Sequence, residues 1–215
     1  SQVEVDMLTG EINFRRAKLI VDAGESLNPA IDIGQIEGAF IQGCGYMTSE
    51  EVQYDKSGLN AMNSTWEYKP FFAKSIPKEF IVDMFPTEES KMDDEYINAM
   101  DYRKQQRKKV RGSESAGVMS SKSTGEPPVV LSISMFQAIR DAIRAHRDYL
   151  YRKFSPNKVP LDALIDFNVA PATTSRIQQA IHKINTVYAE TSGNPQSFIS
   201  LLAEQPIVVG NTSFA

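Results

Sequence analysis

Two consecutive prolines, Pro127-Pro128, dictate where the longest helical pattern of this 215-residue chain can start. Proline lacks a backbone donor and fixes φ near the helical value, so a helix tolerates it in the first turn and rarely deeper. The stretch Ser121 to Tyr151, SKSTGEPPVVLSISMFQAIRDAIRAHRDYLY, therefore reads as small polar chain that becomes a long helix at Gly125-Glu126-Pro127-Pro128. Val130, Ile133, Phe136 or Gln137, Ile139 or Arg140, and Ile143 give that helix one broad apolar face. Arg140, Arg144 and Arg147 crowd its later turns, where the dipole favours cations. His146 sits among these charges and reads as an exposed surface residue. Glu126 stands at the junction, held close to a rigid element without belonging to it. Taken alone this is ordinary punctuation, because acidic residues suit the positive, unpaired N–H end of a helix. If the chain carries chemistry, the junction is the first place for it.

The preceding chain supplies strands and one more helix. Val3, Val5 and Met7 alternate with polar residues, Thr9-Gly10 turns, and Ile12 and Phe14 alternate again before the apolar run Ala17 to Val21. This predicts a β-hairpin whose second strand becomes more buried. Ser26-Leu27-Asn28-Pro29 is a helix start, and Ile33, Ile36, Phe40 and Cys44 recur at helical steps behind it. Gly34, Gly38, Gly43 and Gly45 lie in the same helix, each costing about 1 kcal/mol against alanine. Something must approach the backbone closely, either a neighbouring helix or a ligand, and the pattern alone favours helix packing. Glu51 to Tyr54 could form a short strand with Asp55-Lys56-Ser57-Gly58 as its turn. Residues 59–78 read as irregular, and Glu79 to Phe85 as a strand.

Composition sets outer limits. The chain is 41% hydrophobic and 23% charged, a globular balance, and its net charge of −4 argues against a general nucleic-acid binder. The basic run Arg103, Lys104, Arg107, Lys108, Lys109 and Arg111 could be a nuclear address or phosphate patch, but acidic surroundings favour a solvated insertion over 86–117. A single cysteine excludes a disulfide framework or a cysteine-rich cluster built from this chain alone, and suits a reducing, cytoplasmic setting. No apolar run approaches a membrane span. The opening SQVEVDMLTGE has neither an initiator methionine nor a signal-peptide pattern, so a piece of a longer protein is expected. After Ser155-Pro156-Asn157, Leu161 to Phe167 reads as a short amphipathic segment. Thr173 or Thr174 caps a helix with Ile177, Ala180, Ile181, Ile184 and Tyr188 on one face. His182 adjoins that face with no site role expected. The tail from Ser192 is weakly patterned.

Two stretches together are more specific than either alone. Ser26 to Gly45, SLNPAIDIGQIEGAFIQGCG, and Ser121 to Pro128, SKSTGEPP, with the helix through AIRDAIRAHR, resemble the molybdenum hydroxylase family of xanthine dehydrogenase and aldehyde oxidase. Thr65 to Lys69 and Ser75 to Phe85 look like the intervening region of that family. The resemblance covers residues 1 to about 150. It implies an α+β fold: the C-terminal part of a molybdopterin-binding domain over 1–154, with mixed strands packed on long helices. A helical extension and tail over 155–215 would follow.

Glu126 then corresponds to the family's active-site glutamate, the general base that activates a molybdenum-bound hydroxyl. Gln35 matches a glutamine that touches the pterin, its amide able both to donate and to accept. Gly34 and Gly38 would leave room for the cofactor, and Gly125 would let the backbone come close. No residue of this chain is implied as a direct metal ligand. The implied parent hydroxylates aldehydes or N-heterocycles such as purines. It would carry two-iron two-sulfur clusters and FAD outside this chain, as a homodimer of larger subunits. The competing reading is a catalytically inactive partial paralogue, serving as a binding or assembly module. Departures from the pattern include the length of 86–117, Pro70 one position early, and a weak match after about residue 155.

Overall fold

The computed structural model describes residues 1–85, 118–154, 167–192 and 207–211. The charged insertion 86–117 and nearly all of Leu161 to Phe167 lie outside the described residues. The described chain is α+β. Its strands are β1 (Gln2–Asp6), β2 (Ile12–Val21), β3 (Glu79–Met84) and β4 (Ile207–Asn211). Its helices are α1 (Pro29–Thr48), α2 (Pro127–Leu131), α3 (Ile133–Phe154) and α4 (Thr174–Ser192). One sheet runs in the order β3-β2-β1-β4. The chain divides into two compact units, Ser1–Ala17 with Ile41–Phe80 and Leu131–Ala215, and Lys18–Phe40 with Ile81–Val130.

In the larger unit, β1 pairs antiparallel with both β2 and β4. The β1–β2 turn is closed by Asp6, whose Oδ1 accepts from the Leu8 amide at 2.7 Å and the Thr9 amide at 3.2 Å. Gly10 follows at φ +74°, and a Cβ there would sit 2.6 Å from the Thr174 carbonyl oxygen, so both conformation and space call for glycine. Helix α3 packs on β1, β4 and α4. The core collects Val3, Val5 and Phe14 with Met135, Ile139, Ala142, Ile143 and Leu150, and the α4 face Ile177, Ala180, Ile181, Ile184 and Tyr188. Thr173 caps α4, its Oγ1 accepting from the Arg176 amide at 3.4 Å. Cys44 is fully buried, and burial pushes its thiol pKa up, so it acts as one more apolar residue of the α1 face.

Several expectations need correction. The helix behind Glu126 is two pieces, α2 and α3, joined at Ser132, where the Met135 amide donates to the Ser132 carbonyl at 3.0 Å, a tighter turn than α. Phe136, Ile139 and Ile143 of the expected apolar face are buried, but Val130 and Ile133, on either side of the joint, are exposed. His146 falls on this buried face, at 4% exposure, and is not the surface residue its arginine neighbours suggest. Its Nε2–H donates to Asn185 Oδ1 at 3.1 Å. Glu51 to Tyr54 is no regular strand, only a single bridge from Tyr54 to Asn60. Asp55 there binds the Ser57 and Leu59 amides, and Val52 and Tyr54 are exposed, so no apolar face rewards a ladder. The tail, weakly patterned in sequence, supplies β4.

Two outcomes follow from this packing. A Cβ added at Gly210 in β4 would lie 2.8 Å from the Ala138 carbonyl carbon and 2.9 Å from the Ala142 nitrogen of α3. Gly210→Ala is expected to lower stability by roughly 1–3 kcal/mol, measured by denaturant unfolding, because backbone atoms of a packed helix cannot move aside. Burial holds the His146 pKa below the ordinary imidazole range, with the Asn185 bond opposing only in part. The unfolded chain therefore takes up this proton first. The stability tied to the neutral ring is whole above about pH 6.5 and is lost as pH falls from there toward the folded pKa. The melting temperature should drop over that interval, with a shallower pH slope in His146→Gln.

Candidate functional site

The smaller unit brings the two family-like stretches together. Residues 121–122 run as a short strap beside 22–24: Ser121 bridges Gly24 antiparallel, and the Lys122 amide donates to the Ala23 carbonyl at 2.9 Å. The Lys122 ammonium also pairs with the Asp22 carboxylate, which accepts from the Gly24 amide at 2.9 Å. Just upstream, Met119 takes φ 52°, an uncommon left-handed conformation for a residue with a Cβ. The Ser121 hydroxyl donates to the Val118 carbonyl at 2.7 Å across that turn. Two residues past the strap the chain is tied again. Thr124 is buried, and its Oγ1 donates to Asp32 Oδ1 at 3.3 Å. Ser26 Oγ donates to the other oxygen, Asp32 Oδ2.

These ties deliver Gly125 and Glu126 to the first turns of α1. A Cβ at Gly125 would lie 3.6 Å from Gln35 Oε1, ordinary van der Waals contact. Gln35 and Glu126 are both exposed. Glu126 ends the loop, and its carbonyl accepts from the Val129 amide at 3.0 Å, opening α2 while Pro128 is buried behind it. Sequence-predicted Gln35, Gly34, Gly38, Gly125 and Glu126 thus lie within one compact unit, with Gln35 and Gly125 adjacent. Among the described residues nothing lies within 4 Å of a Cβ placed at Gly34 or Gly38. Helix packing, which the sequence pattern favours for the glycines, has no partner for these two among the described residues. Gly45 differs: a Cβ there would meet Phe71 at 3.4 Å.

The sequence reading gives Asp32 no role, although it lies inside the recognised run. A carboxylate three residues before Gln35 on a helix is a visible signal, because such residues share a face. Its partner Thr124 could not be read across 92 residues of chain. Among the described residues no group of three or more His, Cys, Asp or Glu side chains is placed to hold a metal ion, and no helix is long and apolar enough to cross a membrane. A separate cleft of about 1000 Å³ lies in the larger unit, lined in part by Glu4, Phe14, Lys69, Phe72 and Thr173, and holds none of the predicted site residues.

Residues 1–77 match the molybdopterin cofactor-binding domain family. An indole-3-acetaldehyde oxidase of Zea mays is 39% identical over 180 residues, covering 83% of this chain and 11% of its own length. An indole-3-acetaldehyde oxidase of Arabidopsis thaliana is 36% identical over 179 residues, covering 83% of this chain and 11% of its own. The chain thus spans about a tenth of the curated relatives it matches. In fold it is similar to quinoline 2-oxidoreductase from Pseudomonas putida 86, with a TM-score of 0.58 at 20% identity over 84% of this chain and 18% of that one. Sequence match, paired motifs and fold agree: the chain is a molybdopterin cofactor-binding domain segment related to the molybdenum hydroxylases, the family of aldehyde oxidase and xanthine dehydrogenase.

Proposed function

We propose that these residues act as a binding and assembly module: they form one wall of a molybdopterin site and turn over no substrate by themselves. The observation that carries this reading is the open corner at Gln35 and Glu126. Both side chains are exposed beside a helix face where Gly34 and Gly38 have no neighbour among the described residues. Catalysis depends on holding substrate, base and reactive group in one geometry, and a single open wall cannot do that.

The residues fit the cofactor. The Gln35 amide offers both a donor and an acceptor, as a pterin edge requires. Gly34 and Gly38 present bare backbone beside it, so a flat ring can approach without meeting a side chain. When bound, the cofactor supplies a metal centre that accepts electrons from a substrate carbon. Gly125 keeps the loop low against Gln35, and Pro127-Pro128 stiffens the chain behind Glu126. In this arrangement the exchange of the two glycines for alanine separates fold from binding. Gly34→Ala and Gly38→Ala should each raise the stability of the chain by about 1 kcal/mol, because alanine is the better helix former and nothing obstructs it. In the full-length protein the same changes should lower the molybdenum retained after purification, read by metal analysis. Equal retention would count against the wall.

A second reading is favoured by the position of Glu126, one residue from the Gln35 contact and fixed by the opening of α2. Within a longer polypeptide, Glu126 serves as general base in hydroxylation of an aldehyde or an N-heterocycle. The likeness to plant aldehyde oxidases favours the aldehyde. The carboxylate accepts a proton at one oxygen, and a closing wall from the rest of the protein excludes water. The two readings part on one experiment. Full-length Glu126→Gln should keep its molybdenum and lose oxidation of benzaldehyde by at least about a hundredfold, in line with removal of a general base. The isolated 215-residue chain should show no turnover under either reading, and turnover there would overturn the first.

A further inference from the structure

We propose that Asp32 is the positioning residue for Glu126: its two carboxylate oxygens tie the hydroxyls of Ser26 and Thr124 and so fix the Thr124-Gly125-Glu126 corner against α1. The inference rests on the reading of Glu126 as a general base in the longer protein. The geometry is specific. Asp32 belongs to the first turn of α1, where its amide donates to the Asn28 carbonyl at 3.0 Å, so its side chain starts from a rigid element. Its Oδ1 accepts from buried Thr124 and its Oδ2 from Ser26. Hydrogen bonds to an ionised acceptor are about twice as strong as neutral ones. Asp32 and Gln35 stand three residues apart on one helix. A single clamp therefore sets the separation between the Gln35 amide and the loop that carries Glu126.

The clamp is placed where the loop needs it. The strap at 121–122 holds the chain upstream, but Gly125 lies between Thr124 and Glu126, and glycine leaves both dihedrals soft. Thr124 is the last fixed point before that soft residue. A reacting group displaced by about 1 Å can lose roughly a hundredfold in rate. The carboxylate of Glu126 is exposed, so its direction depends on the backbone that carries it.

The test uses the full-length protein with three variants, Thr124→Val, Thr124→Ser and Glu126→Gln. Valine keeps the shape of threonine and removes the donor, while serine keeps the donor. In Thr124→Val the amides of Thr124, Gly125 and Glu126 should exchange with solvent about tenfold faster, the scale of one lost charge-assisted bond. The same variant should lose kcat for benzaldehyde by about a hundredfold, with KM changed by less than about twofold. Thr124→Ser should restore both readouts. Unchanged exchange in Thr124→Val, or a kcat loss that serine does not repair, overturns the positioning role. Full activity in Glu126→Gln overturns instead the reading on which the inference rests, and the exchange rates still decide whether the clamp holds the corner.

Discussion

Close approach of backbone to backbone, where β4 crosses α3 at Gly210, is the constraint on which the larger unit depends. An edge strand taken from the far end of the chain can lie on a helix this closely only if one residue carries no Cβ. With β4 seated, β1 is bonded on both sides and its Val3 and Val5 are buried completely. A two-stranded hairpin is marginal in water, whereas additional strands with one apolar face against a helix are self-supporting. The chain therefore spends its final strand on closing the sheet beside its first.

The smaller unit is stabilised by a different kind of interaction. Its loop ends are tied by polar groups: Lys122 to Asp22, Thr124 and Ser26 to Asp32. Such ties are weak one by one when exposed, and salt screens them. Their value lies in direction. A hydrogen bond fixes an angle as well as a distance, and a loop held by three of them presents its next residues in one orientation. Apolar burial, which is indifferent to direction, does that poorly.

Much of this was legible from residue order, and the failures have physical causes. The hairpin, the α1 face of Ile36, Phe40 and Cys44, and the α4 face could be read because each is local and periodic. The junction at Glu126 could be read because two prolines leave a helix few places to start. His146 was misplaced because charged neighbours say little about which face of a helix a residue occupies; its spacing from Ile139 and Ala142 says more. The apolar face of the long helix was read rightly at Phe136, Ile139 and Ile143 and wrongly at Val130 and Ile133, which flank the joint at Ser132, and a serine inside an otherwise helical run gives no reliable warning. Strand β4 went unseen because Ile207-Val208-Val209 is short and its partner is about two hundred residues away. The Asp32–Thr124 contact was invisible for the same reason.

Exposure of Glu126 is the point at which fold and chemistry must be joined. A carboxylate becomes a useful base near neutral pH when water is kept from it. These residues fix where the carboxylate stands and leave it open to solvent. Position and shielding are separate tasks, and under the proposed role of Glu126 this chain would perform the first. Among the described residues nothing lies within 4 Å of a Cβ placed at Gly34 or Gly38 on the α1 face beside it, although each glycine costs helix propensity. Under the proposed wall, that cost leaves room for the cofactor to approach the helix backbone. On that proposal the arrival that covers the glycines would also close over Glu126, so that binding and shielding become one event.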